Sequence, residues 1–196
     1  MKTLALAASN SSVSINASLI NWVAKQMRSG CDIIDIHHLE IAMYSFGEEQ
    51  TSGCPAQLTA LYEMFISYDA YIISIPEHNG NFPAFFKNIL DWFTRIDRRF
   101  FKNKPILLLN ASPGSGGGKS VMSIATKSFG IFGARVFGSF IVPEFHSADI
   151  DEACANLIPP TFGELKKMIQ QFEDEISMDS SLVKEALYET PVRQTL

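Results

Sequence analysis

Apolar and polar positions along the chain alternate between two periods. Residues 2–8 form a short apolar run that ends in small polar residues, and residues 17–27 then place Leu19, Ile20, Val23 and Met27 at helical spacing. The pattern predicts strand, loop, helix. Gly30 stands where that helix should end, and residues 31–36 set Ile33, Ile34 and Ile36 beside Asp32 and Asp35, which predicts a second strand. A longer connection through Tyr44, Gly47, Gly53 and Pro55, whose length marks a functional loop, leads to a helix with Leu58, Leu61, Met64 and Phe65 facing one way. Residues 70–75 are dense in β-branched and aromatic side chains and read as a third strand. They run into Pro76-Glu-His-Asn-Gly80, where the chain must turn. A helix follows over residues 82–93, with Pro83 in its first turn and Phe86, Ile89, Leu90 and Phe93 as its apolar positions. Residues 105–109 give a fourth strand ending in Asn-Ala-Ser-Pro-Gly-Ser-Gly-Gly-Gly, a helix starts near Lys119, and residues 135–142 give a fifth strand. From Thr161, Leu165, Met168, Ile169 and Phe172 suit a closing helix. Residues 177–196 lose the periodicity and read as a mobile or partner-binding tail beyond a domain of residues 1–176.

Strands alternating with helices predict an α/β fold, a doubly wound five-stranded parallel sheet in the order 2-1-3-4-5. In such a sheet the ligand crevice lies at the carboxyl ends of strands 1 and 3. The bulk numbers agree with one folded domain: 196 residues, 46% apolar and 19% charged. A formal charge of -5 without a run of Lys or Arg argues against nucleic acid as a partner. The apolar start stops at the polar cluster of residues 9–12, so it reads as a buried strand rather than a signal peptide. No later run approaches the ~18–20 apolar residues of a membrane span, which places the protein in the cytoplasm with no membrane partner. Cys31, Cys54 and Cys154 form no Cys-x-x-Cys pair and read as ordinary thiols.

Three unusual loops follow strands 1, 3 and 4 and converge on that crevice. In residues 9–16, Ser9, Ser11, Ser12 and Ser14 offer hydroxyls and Asn10 and Asn16 offer amides at a helix start, a neutral cradle for an anion. Without Gly-x-Gly-x-x-Gly it suits a terminal phosphate monoester better than a dinucleotide. Helix capping alone is the competing reading. The second loop presents backbone to the edge of a flat heterocycle, with His78 stacking on it, flanking it or facing solvent. The third loop, from Ser112 to Gly118, lets backbone approach a ligand closely. It misses the Walker A pattern, because Pro113 stands where the first Gly belongs. His37 and His38 lie near Glu40, but adjacent residues at a strand end point to opposite faces, so they read as structural and no metal site is assigned. No Gly-x-Ser-x-Gly elbow argues for a hydrolase. Arg95, Arg98 and Arg99, interleaved with Asp97 and followed by Phe100 and Phe101, read as a surface or subunit contact.

At the three loops the chain resembles the NADPH-dependent FMN reductase family, flavodoxin-like proteins that include azoreductases and chromate or quinone reductases. The resemblance runs from about residue 2 to residue 172. It is carried by Pro76-Glu-His-Asn-Gly-Asn-Phe-Pro-Ala-Phe-Phe-Lys-Asn-Ile-Leu-Asp-Trp92, similar to the family's Pro-Glu-Tyr-Asn-x-x-x-Pro-x-x-Leu-Lys-Asn-x-x-Asp-Trp, and by Ser112-Pro-Gly with Gly117-Gly118. It implies FMN as cofactor and NADPH or NADH as co-substrate, with the phosphate held around Ser9, Ser11, Ser14, Ile15 and Asn16. The isoalloxazine would lie against Pro76, Glu77, His78, Asn79 and Gly80, then Ser112, Pro113, Gly114 and Gly117. No side chain is implied as a catalytic acid or base, since the flavin carries the chemistry. Two departures stand out: Ser11 replaces a basic residue of the family's phosphate loop, and His78 replaces its Tyr. The resemblance further implies a ping-pong cycle from reduced nicotinamide to a flavin, quinone, azo or similar small electron acceptor, in a homodimer or homotetramer to which residues 92–101 contribute. A flavodoxin-type electron carrier, and a fold relative that has lost FMN and serves as an interaction domain, are the rival readings.

Overall fold

The computed structural model describes residues 1–146 and 160–188. Its strands are β1 (Thr3–Ala7), β2 (Asp32–Ile34), β3 (Ala70–Ser74), β4 (Pro105–Ala111) and β5 (Arg135–Val142), joined in one parallel sheet of order β2-β1-β3-β4-β5. The register sets Leu6 beside Ile34 on one side and Ile73 on the other, and Ile73 beside Leu108. β3 and β4 are buried along their whole length, which is why they read as continuous apolar runs; β2 and β5 are partly exposed edges.

Six helices complete the described architecture: α1 (Ile15–Gln26), α2 (Phe46–Ser52), α3 (Ala56–Ile66), α4 (Ala84–Ile96), α5 (Lys119–Ile131) and α6 (Pro160–Tyr188). Alternate strand residues divide the core in two. Leu4, Leu6, Tyr71, Ile73, Ile106 and Leu108 pack against α3, α4 and α5. Ala5, Ile72, Leu107 and Leu109 pack against α1 and α6, where Leu19, Val23, Leu165, Ile169 and Phe172 are fully buried. No helix among the described residues is long and apolar enough to cross a membrane.

Three differences from the sequence expectations have physical causes. The connection after β2 holds α2, which buries none of its residues and so shows no apolar period. Its signal is the cap, where Ser45 Oγ accepts from the Glu48 N–H at 3.0 Å. Trp92, Phe93, Phe100 and Phe101, expected at a subunit contact, instead fill the core on the α4 side at 2% exposure or less. Phe65, Phe93 and Phe100 meet there edge to face. Finally, α6 passes residue 176 without a break and is helical to Tyr188. Residues 189–196 of the expected tail, like Cys154, lie outside the described residues. The docking of α6 on α1 is fastened by Glu173, whose carboxylate accepts from the Ser29 N–H and hydroxyl at 2.8 Å and from Arg28 Nε at 3.2 Å.

Candidate cofactor site

The three loops leave the carboxyl ends of β1, β3 and β4, and buried side chains hold them together. Asn16, in the first turn of α1 and 2% exposed, spends its whole amide on the other two strands. Its Oδ1 accepts from Ser74 Oγ at 2.7 Å and from the Ala111 N–H at 2.9 Å, while Nδ2 donates to the Ala111 carbonyl at 3.0 Å. Asn110 Nδ2 donates to the Ile75 carbonyl at 2.7 Å, joining β4 to the start of the second loop. Glu77 accepts from the Val121 N–H at 2.9 Å and so caps α5 from the second loop. Asn16 and Glu77, read from the sequence as cofactor contacts, therefore have side chains committed to the protein. For Asn16 only the backbone remains for a ligand; Glu77 keeps its backbone and its second carboxylate oxygen. Ser74 and Asn110 were not singled out in the sequence, where a lone polar residue at a strand end carries no signal.

In the first loop, Ser14 caps α1 by accepting from the Ala17 N–H at 3.3 Å. Ser9 Oγ accepts from the Ser11 N–H at 3.2 Å. Ser11 Oγ is turned back on its own loop, donating to the Val13 carbonyl at 2.8 Å and accepting from the Val13 N–H at 3.2 Å. What stays open is the Ser12 hydroxyl and the first-turn N–H groups of Ile15 and Asn16, which have no intrahelical acceptor. That donor set, at the positive end of a helix dipole, fits a phosphate monoester. A pocket of about 180 Å³ lies between these serines and the end of β2, where Ile34, Asp35 and His37 line it; neither Lys nor Arg does.

The second loop closes as a tight turn. His78 and Asn81 exchange backbone hydrogen bonds at 2.9 and 3.0 Å, and the two residues between them, Asn79 and Gly80, have φ of 53° and 77°. Both central residues sit in the left-handed region, which Asn and Gly tolerate best. The His78 side chain is exposed, beside half-buried Pro76. In the third loop Ser112 Oγ accepts from the Gly114 N–H at 3.2 Å, and the Ser112 and Gly114 carbonyls accept from Phe145 and Glu144. Pro113 and Gly114 are exposed. Gly117 has φ 59°, and a Cβ there would stand 2.4 Å from Ile141 Cγ2; one on Gly118 would stand 2.2 Å from Asn110 Nδ2. These two glycines make room for protein neighbours, whereas the exposed segment before them is the part open to a ligand.

Two peripheral features depart from expectation. His37 and His38 are not on the strand, which ends at Ile34; they occupy a turn closed by the Leu39 N–H on the Ile36 carbonyl at 3.2 Å. Their rings meet edge to face at 5.6 Å. The opposite-face reading is thus corrected, because it applied strand geometry to a turn. Asp35 lies 2.7 Å from His37 Nδ1, and that hydrogen bond is the main reason its carboxyl is held below the usual value. Where α4 and α5 end, ahead of β4 and β5, Arg95, Arg98 and Arg99 are exposed along an open groove of about 710 Å³ with Thr94, Ile131 and Phe132.

A doubly wound sheet of this order, with a serine-rich loop leading into a helix after β1 and two turn-forming loops after β3 and β4, defines a flavodoxin-like protein. More specifically, the chain belongs to the NADPH-dependent FMN reductase family, whose model matches residues 1–147. It is an oxidoreductase of the FMN-dependent, NAD(P)H-using class. An uncharacterized protein of Mycoplasma pneumoniae is 30% identical over 151 residues, 74% of this chain and 89% of that protein. A quinone reductase of Escherichia coli is 34% identical over 79 residues, 40% of this chain and 42% of the enzyme. Among solved structures, FerB, a flavoenzyme NAD(P)H:acceptor oxidoreductase of Paracoccus denitrificans, superposes with a TM-score of 0.70 at 21% identity over 91% of this chain and 98% of its own.

Proposed function

We propose that this chain holds FMN across its three loops and works as an NAD(P)H-dependent reductase of small acceptors such as quinones, free flavins or azo compounds. The observation that carries the reading is the bracing of the loops: Asn16, Asn110 and Glu77 fix all three to one another through the protein alone. The donors of the first loop therefore stand ready before a ligand arrives, and preorganised donors lower the cost of binding. Ile15 and Asn16 N–H groups, with the Ser12 hydroxyl, take the phosphate, and Ser9 and Ser14, whose Oγ atoms accept within the loop, still have a hydroxyl proton to donate to it. Ser11, whose N–H goes to Ser9 Oγ and whose hydroxyl goes to Val13, contributes by shaping the loop rather than as a donor. Pro76, His78, Asn79 and Gly80 edge the ring system on one side; Ser112, Pro113 and Gly114 edge it on the other. When bound, FMN supplies a two-electron carrier that takes hydride from NAD(P)H and passes electrons to the acceptor in a ping-pong cycle. Exposed His78, in the place of the family's Tyr, leaves the outer side of the ring site open to a flat acceptor. The quinone reductase relative favours quinones within that acceptor class.

The test is anaerobic mixing of FMN-loaded protein with NADPH and, separately, NADH, followed by a quinone. Bleaching of the flavin by a nicotinamide and recovery on quinone addition are expected. A flavin that loads but stays oxidised would make the protein an electron carrier, and failure to load with excess FMN would remove the cofactor itself. We further propose a homodimer or homotetramer, read out by light scattering on the eluting holoprotein.

A further inference from the structure

We propose that Asp35, His37 and His38 form a binding site for one divalent transition-metal ion at the mouth of the serine-lined pocket. The three residues offer donor atoms that all lie within 4.8 Å of one another. In a tetrahedral zinc site, metal to nitrogen distances of about 2.0–2.1 Å put ligand atoms about 3.3 Å apart, so small side-chain rotations close the set. The backbone has already done the larger part. The turn after β2 brings the two imidazoles side by side, and Asp35 Oδ1 is oriented by accepting from the His37 N–H at 3.1 Å. Three residues within four positions of one another supply the ligands, so little chain entropy is lost on binding.

The donor set decides the class of ion. Two imidazoles and one carboxylate suit zinc, copper or nickel and not magnesium or calcium, which require mostly oxygen ligands. Binding would exchange the contact between His37 Nδ1 and Asp35 for bonds from these residues to the metal. All three side chains reach solvent, so coordination positions remain for water or a second ligand.

Location gives the site its consequence. Asp35 and His37 line the same pocket as Ser9, Ser11, Ser12 and Ser14, and that pocket has no Lys or Arg of its own. A dication there supplies positive charge beside a phosphate loop that lacks it. This second step rests on the FMN reading of the first loop; the metal site itself does not.

The experiment uses the full chain, stripped with a chelator, and zinc as a redox-silent probe. Calorimetric titration should show one zinc ion per chain in the parent. His37→Gln with His38→Gln should weaken it at least tenfold while the circular dichroism spectrum is unchanged, since both side chains lie in a surface turn. Equal zinc affinity in the parent and the double variant would overturn the site. FMN and riboflavin are then titrated with and without zinc. Zinc should tighten FMN at least fivefold more than riboflavin, and an equal effect on both would overturn the charge role. If FMN never loads while zinc binding passes its test, the cofactor reading falls and the metal site stands.

Discussion

Replacing Asn16 with Ala removes one amide and disturbs three strand ends. The Ala111 N–H and the Ser74 hydroxyl lose their acceptor, and the Ala111 carbonyl loses a donor. Ser74 is fully buried and Ala111 is 3% exposed, so water cannot replace the amide without opening the sheet. A buried polar group left without a partner costs about 1–3 kcal/mol. The Ala111 N–H cannot turn away and bears the full cost, while the Ser74 hydroxyl can rotate and bears less. The expected loss is about 3 kcal/mol, which in a domain of this size lowers Tm by roughly 6–12 °C. Asn16→Asp should be no better, because it turns the donor facing the Ala111 carbonyl into a second acceptor and buries a charge. Urea unfolding followed by circular dichroism measures both. A loss below about 0.5 kcal/mol for Asn16→Ala would refute the claim that this amide braces the loops, since it would mean that the groups find other partners at little cost.

Three further outcomes follow from the same structure. Gly118→Ala should destabilise by about 1–3 kcal/mol, because its Cβ would overlap the Asn110 amide, while Gly116→Ala, which meets nothing within 4 Å, should be near neutral; equal urea midpoints for the two would contradict the packing role. Burial pushes the Cys31 thiol up to about 11, with Asp32 and Glu173 adding to it, so at pH 8 Cys31 should react with a disulfide reagent far more slowly than free cysteine, as a Cys31→Ser comparison will show. Burial also pushes the Glu173 carboxyl up, but the hydrogen bonds from Ser29 and Arg28 outweigh it and leave the group below its usual value. A depressed carboxyl stabilises the fold above the unfolded-state pKa of about 4.3 and loses that contribution as pH falls through the folded value, so Glu173→Gln should be less stable at pH 7 and should flatten the acid limb of the stability curve.

The sheet order was legible because burial on both faces makes β3 and β4 continuous apolar runs, and because strand and helix periods alternate cleanly between residue 2 and residue 142. α2 was not, since a short exposed helix has no apolar stripe, and only its Ser45 to Glu48 cap betrays it. The loops were legible as unusual composition, but the division of work within them was not. Asn16 reads as a polar residue at a helix start, equally suited to a ligand or to capping. Its actual partners lie 58 and 95 positions away, and no local pattern carries that information. Gly117 and Gly118 read as places for a ligand to approach, yet the atoms that approach them belong to Ile141 and Asn110. For His37 and His38 only the opposite-face geometry fails, and for a simpler reason: β2 stops at Ile34, and the rule stops with it.

The separation of roles within the loops bears on how the site can vary. Residues that brace the loops, Asn16, Ser74, Asn110 and Glu77, use side chains on protein partners, so substituting them changes the scaffold under every ligand at once. Residues left for a ligand, Ser12, Pro113 and the exposed face of His78, make no such commitments and can change without unfolding the sheet ends. Two positions in the loops where this chain departs from the family's pattern, Ser11 and His78, are both exposed, and neither side chain braces one loop to another. On the proposed FMN reading these departures would alter charge and ring access while the bracing of the loops is kept. On the same reading, a neutral first loop would depend on backbone N–H groups and the helix dipole for the phosphate, and a cation held by Asp35, His37 and His38 would add positive charge from outside the loop.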